Sequence, residues 1–169
     1  MPSSILEESG ATPVRSVVTF PLSHGRLVLG LQGDAAPWVE PTLRTLGNQF
    51  LLTPDWDSYG ARAPDPSCVL AAWRLLTAVM RDDCPAPAVV PTASGAVQLE
   101  WHRNGVDLEI EVVSPREFVV SLEAEATGEA WEKTLTEQSA EWPALMDRIA
   151  DKSDPASAGG PAHDRDALG

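Results

Sequence analysis

The residues best placed to do chemistry are carboxylates that a β-hairpin sets face to face. Asn104-Gly105 is a two-residue turn signal between antiparallel strands. Before it Val97, Leu99 and Trp101 alternate with polar residues, and after it Val106, Leu108, Ile110 and Val112 do the same. A two-residue loop fixes the register, pairing Arg103 with Val106, Trp101 with Leu108, Leu99 with Ile110 and Val97 with Val112. On the other face His102 then opposes Asp107, Glu100 opposes Glu109, and Gln98 opposes Glu111. Like charges directly opposite cost up to about 1 kcal/mol, so the Glu100–Glu109 pair asks for an explanation. Three are open. The face is solvated and both side chains splay into water; or a basic partner inserts Arg or Lys between the carboxylates; or the pair binds a divalent cation or shares a proton. For the last, His102 and Asp107 are near, but no further ligand is spaced to complete a site.

A second stretch, Asp55-Trp56-Asp57-Ser58-Tyr59-Gly60-Ala61, begins like a calcium-binding EF-hand loop. The position that would carry the bidentate glutamate is Pro66, so calcium binding by that route fails. Its structural reading is a connector in which Trp56 and Tyr59 plug the core, Asp57 accepts from backbone amides and Gly60 takes a positive φ. The alternative is a recognition loop with Trp56, Asp57 and Tyr59 as interface contacts.

Other chemistry finds little support. Cys68 and Cys84 are too few and too far apart for a disulfide framework or a zinc knuckle. Cys68 sits near a helix start, where a thiolate can be stabilised, but no histidine is close in sequence. His24, His102 and His163 lack the i, i+4 pairing of zinc-binding helices, and no GxSxG, phosphate-binding loop, dinucleotide glycine motif or HExxH occurs. No catalytic residue, metal ligand or cofactor is expected.

The chain has 169 residues, 43% of them hydrophobic, enough to bury a core. Its net charge of −13 opposes nucleic-acid and anionic-membrane binding and leaves basic partners open. No apolar run reaches membrane-spanning length, and the opening residues lack a basic region followed by an apolar one, so a cytoplasmic location is expected. Residues 1–12 and the Gly/Pro/Ala-rich acidic stretch 151–169 read as disordered tails around a single domain over 13–150. Each tail carries a net −2, so −9 belongs to the domain.

Within it, residues 14–22 and 26–32 read as a hairpin. A helix follows from Trp38, with Val39, Leu43, Leu46 and Phe50 on one stripe, and a second runs from Asp65 as cap to about Asp82, with Val69, Trp73, Leu76 and Met80 inward. Residues 84–95 read as a Pro-rich connector. The hairpin around Asn104-Gly105 continues into a strand with Phe118, Val120 and Leu122 on its apolar side, while residues 130–138 fit a strand or a helix. A last helix covers about 140–150, capped by Ser139, with Leu145, Met146 and Ile149 inward. The fold class is α+β: an N-terminal β-hairpin, then an antiparallel meander of three to four strands with helices packed on one face.

The loop DWDSYGA at 55–61, the Pro-capped helix after it, PAPAVVPTASGAVQLEW at 85–101 and LEIEV at 108–112 resemble a group of short bacterial proteins without assigned chemistry. Their pattern runs NWDGYGA, a helix, PxPxVxPTxxGGVQLEW, then LEIEI. The likeness covers about residues 50–125, and Asp55, Ser58 and Ala96 depart from it. It implies a small cytoplasmic bacterial protein, one half of a toxin–antitoxin or phage-defence locus, and supplies no catalytic residues.

The leading functional expectation is an acidic, non-enzymatic protein-binding module, antitoxin- or immunity-like, that binds or neutralises a basic protein partner. Its contacts would come from Glu100, Asp107, Glu109 and Glu111, with Trp56, Asp57 and Tyr59. The alternatives are a small metal-dependent hydrolase or nuclease using the sheet carboxylates, and a structural subunit of an oligomer; homo-oligomerisation stays open.

Overall fold

A computed structural model of the chain describes residues 14–22, 25–32 and 35–150. The tails expected to be disordered, 1–12 and 151–169, lie outside the described residues, as do His24 and His163. Strands β1 (Val14–Leu22) and β2 (Gly25–Gln32) form an antiparallel two-stranded sheet of their own. Helices α1 (Val39–Gln49) and α2 (Pro66–Val79) follow. A five-stranded antiparallel meander comes next, β3 (Ala88–Pro91), β4 (Val97–Arg103), β5 (Val106–Ser114), β6 (Glu117–Ala124) and β7 (Glu129–Leu135), each strand beside the next. Helix α3 (Trp142–Ile149) ends the described chain. The architecture is α+β, as the change of hydrophobic period from about 3.6 to 2 requires.

The meander has five strands, where the sequence pattern led us to expect three to four. The extra one is β3, read above as connector because of its prolines. Ala88 to Pro91 pair with Glu100 to Val97, and the strand lies at the sheet edge, where proline's missing N–H is tolerated. Residues 129–135, ambiguous by period, are strand β7, in register with β6 from Phe118↔Leu135 to Ala124↔Glu129. The β4–β5 register is the one dictated by the Asn104-Gly105 turn, down to Glu100↔Glu109.

One face of the meander is dry. Val97, Leu99, Trp101, Leu108, Ile110, Val112, Phe118, Val120 and Leu122 are buried in one cluster with Leu43 and Leu46 of α1, Val69, Leu75 and Leu76 of α2, and Met146 and Ile149 of α3. Two of the buried indoles keep hydrogen-bond partners: Trp101 donates to the Pro85 carbonyl at 2.9 Å and Trp142 to that of Thr136 at 2.8 Å, whereas the buried Trp38 Nε1 has none among the described residues.

Helix boundaries differ in two places. Helix α2 starts as expected, with the Asp65 carboxylate accepting from the Ser67 amide at 2.8 Å, but stops at Val79, ahead of Asp82 and Asp83, whose charges oppose the negative end of a helix. Ser139 does not cap α3; its hydroxyl accepts from the Thr136 amide at 2.9 Å, and Glu141 occupies the cap position without a side-chain bond.

Candidate functional site

The solvent face of the meander gathers the expected carboxylates. Strand parity puts Glu100 of β4 and Asp107, Glu109 and Glu111 of β5 on this face. It adds two that the sequence reading missed, Glu123 of β6 opposite Asp107, and Glu132 of β7 opposite Ser121. Glu123 was legible from the alternation after Phe118; Glu132 needed residues 129–135 to be a strand. None of the outward positions of β3 to β7 in this register is Lys or Arg. Small residues, Ala88, Ser121 and Ala130, sit between the acids and keep the surface low. Around Ser121 the face dips into a depression of about 180 Å³, lined by His102, Asp107, Glu109, Ser121 and Glu123.

His102 is the one basic group there. Its Nδ1 lies 2.8 Å from Asp107 Oδ1 and its Nε2 3.5 Å from Glu100 Oε2. Hydrogen bonding to Asp107 first, then to Glu100, raises the imidazole pKa above its ordinary value. Glu109 is served from the other side, where Gln98 Nε2 donates to its Oε2 at 2.8 Å. The opposed glutamates are thus drawn to different neighbours, which leaves the depression able to attract a cation. Among the described residues no group of three or more His, Cys, Asp or Glu is arranged to hold a metal ion.

The DWDSYGA loop is a separate structure. Asp57 Oδ1 accepts from the amides of Tyr59 at 2.8 Å and Ala61 at 3.1 Å, and these bonds hold its carboxyl below the usual carboxylate range. Asp55 Oδ1 accepts from the Gly60 amide at 2.8 Å, and the Asp55 amide donates to the Ala61 carbonyl at 2.7 Å. Gly60 has φ 89°, as anticipated, while Asp55 at 68° and Ser58 at 64° also enter the left-handed region, which the sequence reading missed. Asp55 tolerates it because its short carboxylate bonds the Gly60 amide locally, and the Ser58 amide is held by the Asp55 carbonyl at 3.0 Å.

The expectation that Trp56 and Tyr59 plug the core is corrected. Tyr59 is 92% exposed, and Trp56 is half-buried with its indole N–H donating to the Arg62 carbonyl at 3.0 Å. A loop whose amides are satisfied by its own aspartates needs no apolar plug, so its tip is free to project. Trp56 and Asp57 hold the loop together, and Tyr59 is the member left for contact.

The loop is joined to the β3–β4 turn. The Arg62 amide donates to the Ala93 carbonyl at 3.0 Å and the Asp65 amide to that of Gly95 at 2.8 Å. The segment that closes the 55–61 loop is therefore bonded to the 85–101 stretch, so the two parts of the chain that carry the bacterial resemblance meet in the fold.

Cys68 and Cys84 are buried and reduced, and burial raises both thiol pKa values, the reverse of what a nucleophile needs. No helix of the described residues is long and apolar enough to cross a membrane. Set against known proteins, the chain matches no family model, no curated sequence and no solved structure.

Proposed function

We propose that the chain is a non-enzymatic binding protein whose solvent-facing sheet surface captures a basic protein partner. The observation that carries this is the charge of that surface: Glu100, Asp107, Glu109, Glu111, Glu123 and Glu132 on one face, without Lys or Arg among them. A partner's Arg or Lys entering the depression at Ser121 meets Asp107, Glu109 and Glu123 together. Charge of one sign on a regular surface speeds encounter with an oppositely charged partner. The resemblance of residues 55–61 and 85–101 to short bacterial proteins supports placing this activity in the cytoplasm, in an antitoxin- or immunity-like role. Tyr59, on its self-braced loop, is the aromatic contact of this reading.

The test uses a defined probe, an octa-arginine peptide titrated into the isotope-labelled full chain and followed by amide NMR. Shifts should centre on His102, Asp107, Glu109, Ser121 and Glu123, and the affinity should fall steeply with salt. The double variant Glu109→Lys, Glu123→Lys should bind about tenfold or more weakly. Shifts scattered over the whole surface, or unchanged binding by the double variant, reject the reading.

A further inference from the structure

We propose that β2 is a dimerisation edge, where a second copy of this chain adds its own β2 antiparallel, joining two hairpins into a four-stranded sheet. The sheet edges differ in what they present to a further strand. An exposed edge strand is a template for pairing, and proteins blunt such edges with prolines, charges or short strands. In the meander, β3 has four residues, with Pro91 in it and Pro85 and Pro87 just before it. The other edge, β7, carries Glu129, Glu132 and Lys133.

The hairpin edges differ from these and from each other. Strand β1 contains Pro21 and is the strand approached by α1. Strand β2, Gly25–Gln32, spans eight residues with no proline, no lysine and one charge, Arg26. Apart from its partner β1, no helix or strand among the described elements approaches it as α1 approaches β1. Its Val28 is 49% exposed. Two strands alone are marginal in water, and added strands stabilise them.

Charge selects the occupant. The chain as a whole repels its copy at −13, yet residues 13–32 contain no Asp or Glu and two arginines. This is where two copies meet with least repulsion. The register follows from the ladder. Two residues separate Leu22 from its partner Gly25, so that closing pair is hydrogen-bonded and the pairs alternate from there. Arg26, opposite Pro21, then turns its N–H and C=O to the free side, as do Val28 and Gly30. Pairing about Leu29 sets Val28 against Gly30 of the partner subunit, Arg26 against Gln32 of the partner subunit and Leu27 against Leu31 of the partner subunit. All the outward groups are used, and the contact is its own mirror under a two-fold axis.

Three measurements on the full chain decide it. Sedimentation over about 1 to 100 µM should show a monomer–dimer equilibrium, the range in which a modest interface becomes visible. Leu29→Cys should form an intermolecular disulfide on mild oxidation, since residue 29 faces its own copy; Arg26→Cys should not, because the two positions lie about 20 Å apart along the strands. Cys68 and Cys84 are buried and give little background. Val28→Pro, which removes an N–H from the free side only, should weaken the dimer about tenfold or more with an unchanged circular dichroism spectrum. A monomer throughout without a Leu29→Cys cross-link overturns the proposal. So does equal cross-linking by both cysteine variants, and these decide the matter even where Val28→Pro fails to fold.

Discussion

Glu100 and Glu109 occupy directly opposed positions on neighbouring strands, yet their carboxylates are held by different partners, Glu100 toward His102 Nε2 at 3.5 Å and Glu109 by Gln98 Nε2 at 2.8 Å. A like-charge pair that would strain the sheet is thereby separated by a same-strand histidine and a diagonal glutamine. Replacing Gln98 with Glu removes the donor and sets a third carboxylate beside Glu109 and Glu111. The expected loss is about 1 kcal/mol at low salt, seen as a melting temperature lower by about 2–4 °C. Most of that loss should disappear near 0.5 M salt, roughly where screening reaches a few ångströms. A loss that ignores salt would mean that packing, and not the charge pair, is what Gln98 serves.

The same geometry makes His102 a reporter of the face. Its pKa is raised in the folded chain, chiefly by Asp107 and then by Glu100. A raised pKa means that the stability contributed is fully present below the unfolded value and is lost as pH rises through the folded one. NMR titration of His102 should therefore show a midpoint above that of an ordinary histidine. Asp107→Asn should lower it more than Glu100→Gln does. Protonation also adds a positive charge to the acidic surface, so octa-arginine should bind more weakly as pH falls through that midpoint. Equal effects of the two substitutions would contradict the assignment of Asp107 as the dominant partner.

Much of this face was legible in advance because strand period and turn chemistry are local. Asn104-Gly105 fixes the register by itself, and Glu100, Asp107, Glu109 and Glu111 follow from counting outward. What escaped depends on partners distant in sequence. Val89 and Pro91 read as connector until β4 is beside them to pair with. Glu132 joins the face only once β7 is seen to pair with β6. Tyr59 was misplaced for another reason. Apolar type suggests burial, but the backbone around it is satisfied by Asp55 and Asp57, so nothing draws the ring inward.

Gly95 tests whether the two resemblance stretches act as one unit. At φ 89° a Cβ would lie 3.1 Å from the Ala63 carbonyl oxygen and 3.3 Å from Arg62 Cβ. Gly60 has the same φ of 89° but open space around it. Gly60→Ala should cost about 1–2 kcal/mol for the backbone alone. Gly95→Ala should cost at least about 1 kcal/mol more, because the added methyl presses on backbone of the loop. Hydrogen exchange should then quicken at the Arg62 and Asp65 amides, which bond the turn. Equal costs for the two variants would show that loop and turn are independent.

Helix α1 offers a gain in stability. Thr42 is fully buried, and its hydroxyl has no hydrogen-bond partner among the described residues. A buried polar group left unpaired costs about 1–3 kcal/mol, whereas an apolar replacement of the same shape removes that penalty. Valine is nearly isosteric and has similar helix propensity. Thr42→Val should therefore keep or raise the melting temperature, by up to about 4 °C. Thr45, one turn on, donates its hydroxyl to the Pro41 carbonyl at 2.9 Å, so Thr45→Val should bring no such gain. A fall in stability for Thr42→Val of about 1 kcal/mol would mean that the hydroxyl is bonded by residues outside those described, since loss of a satisfied buried hydrogen bond has that size.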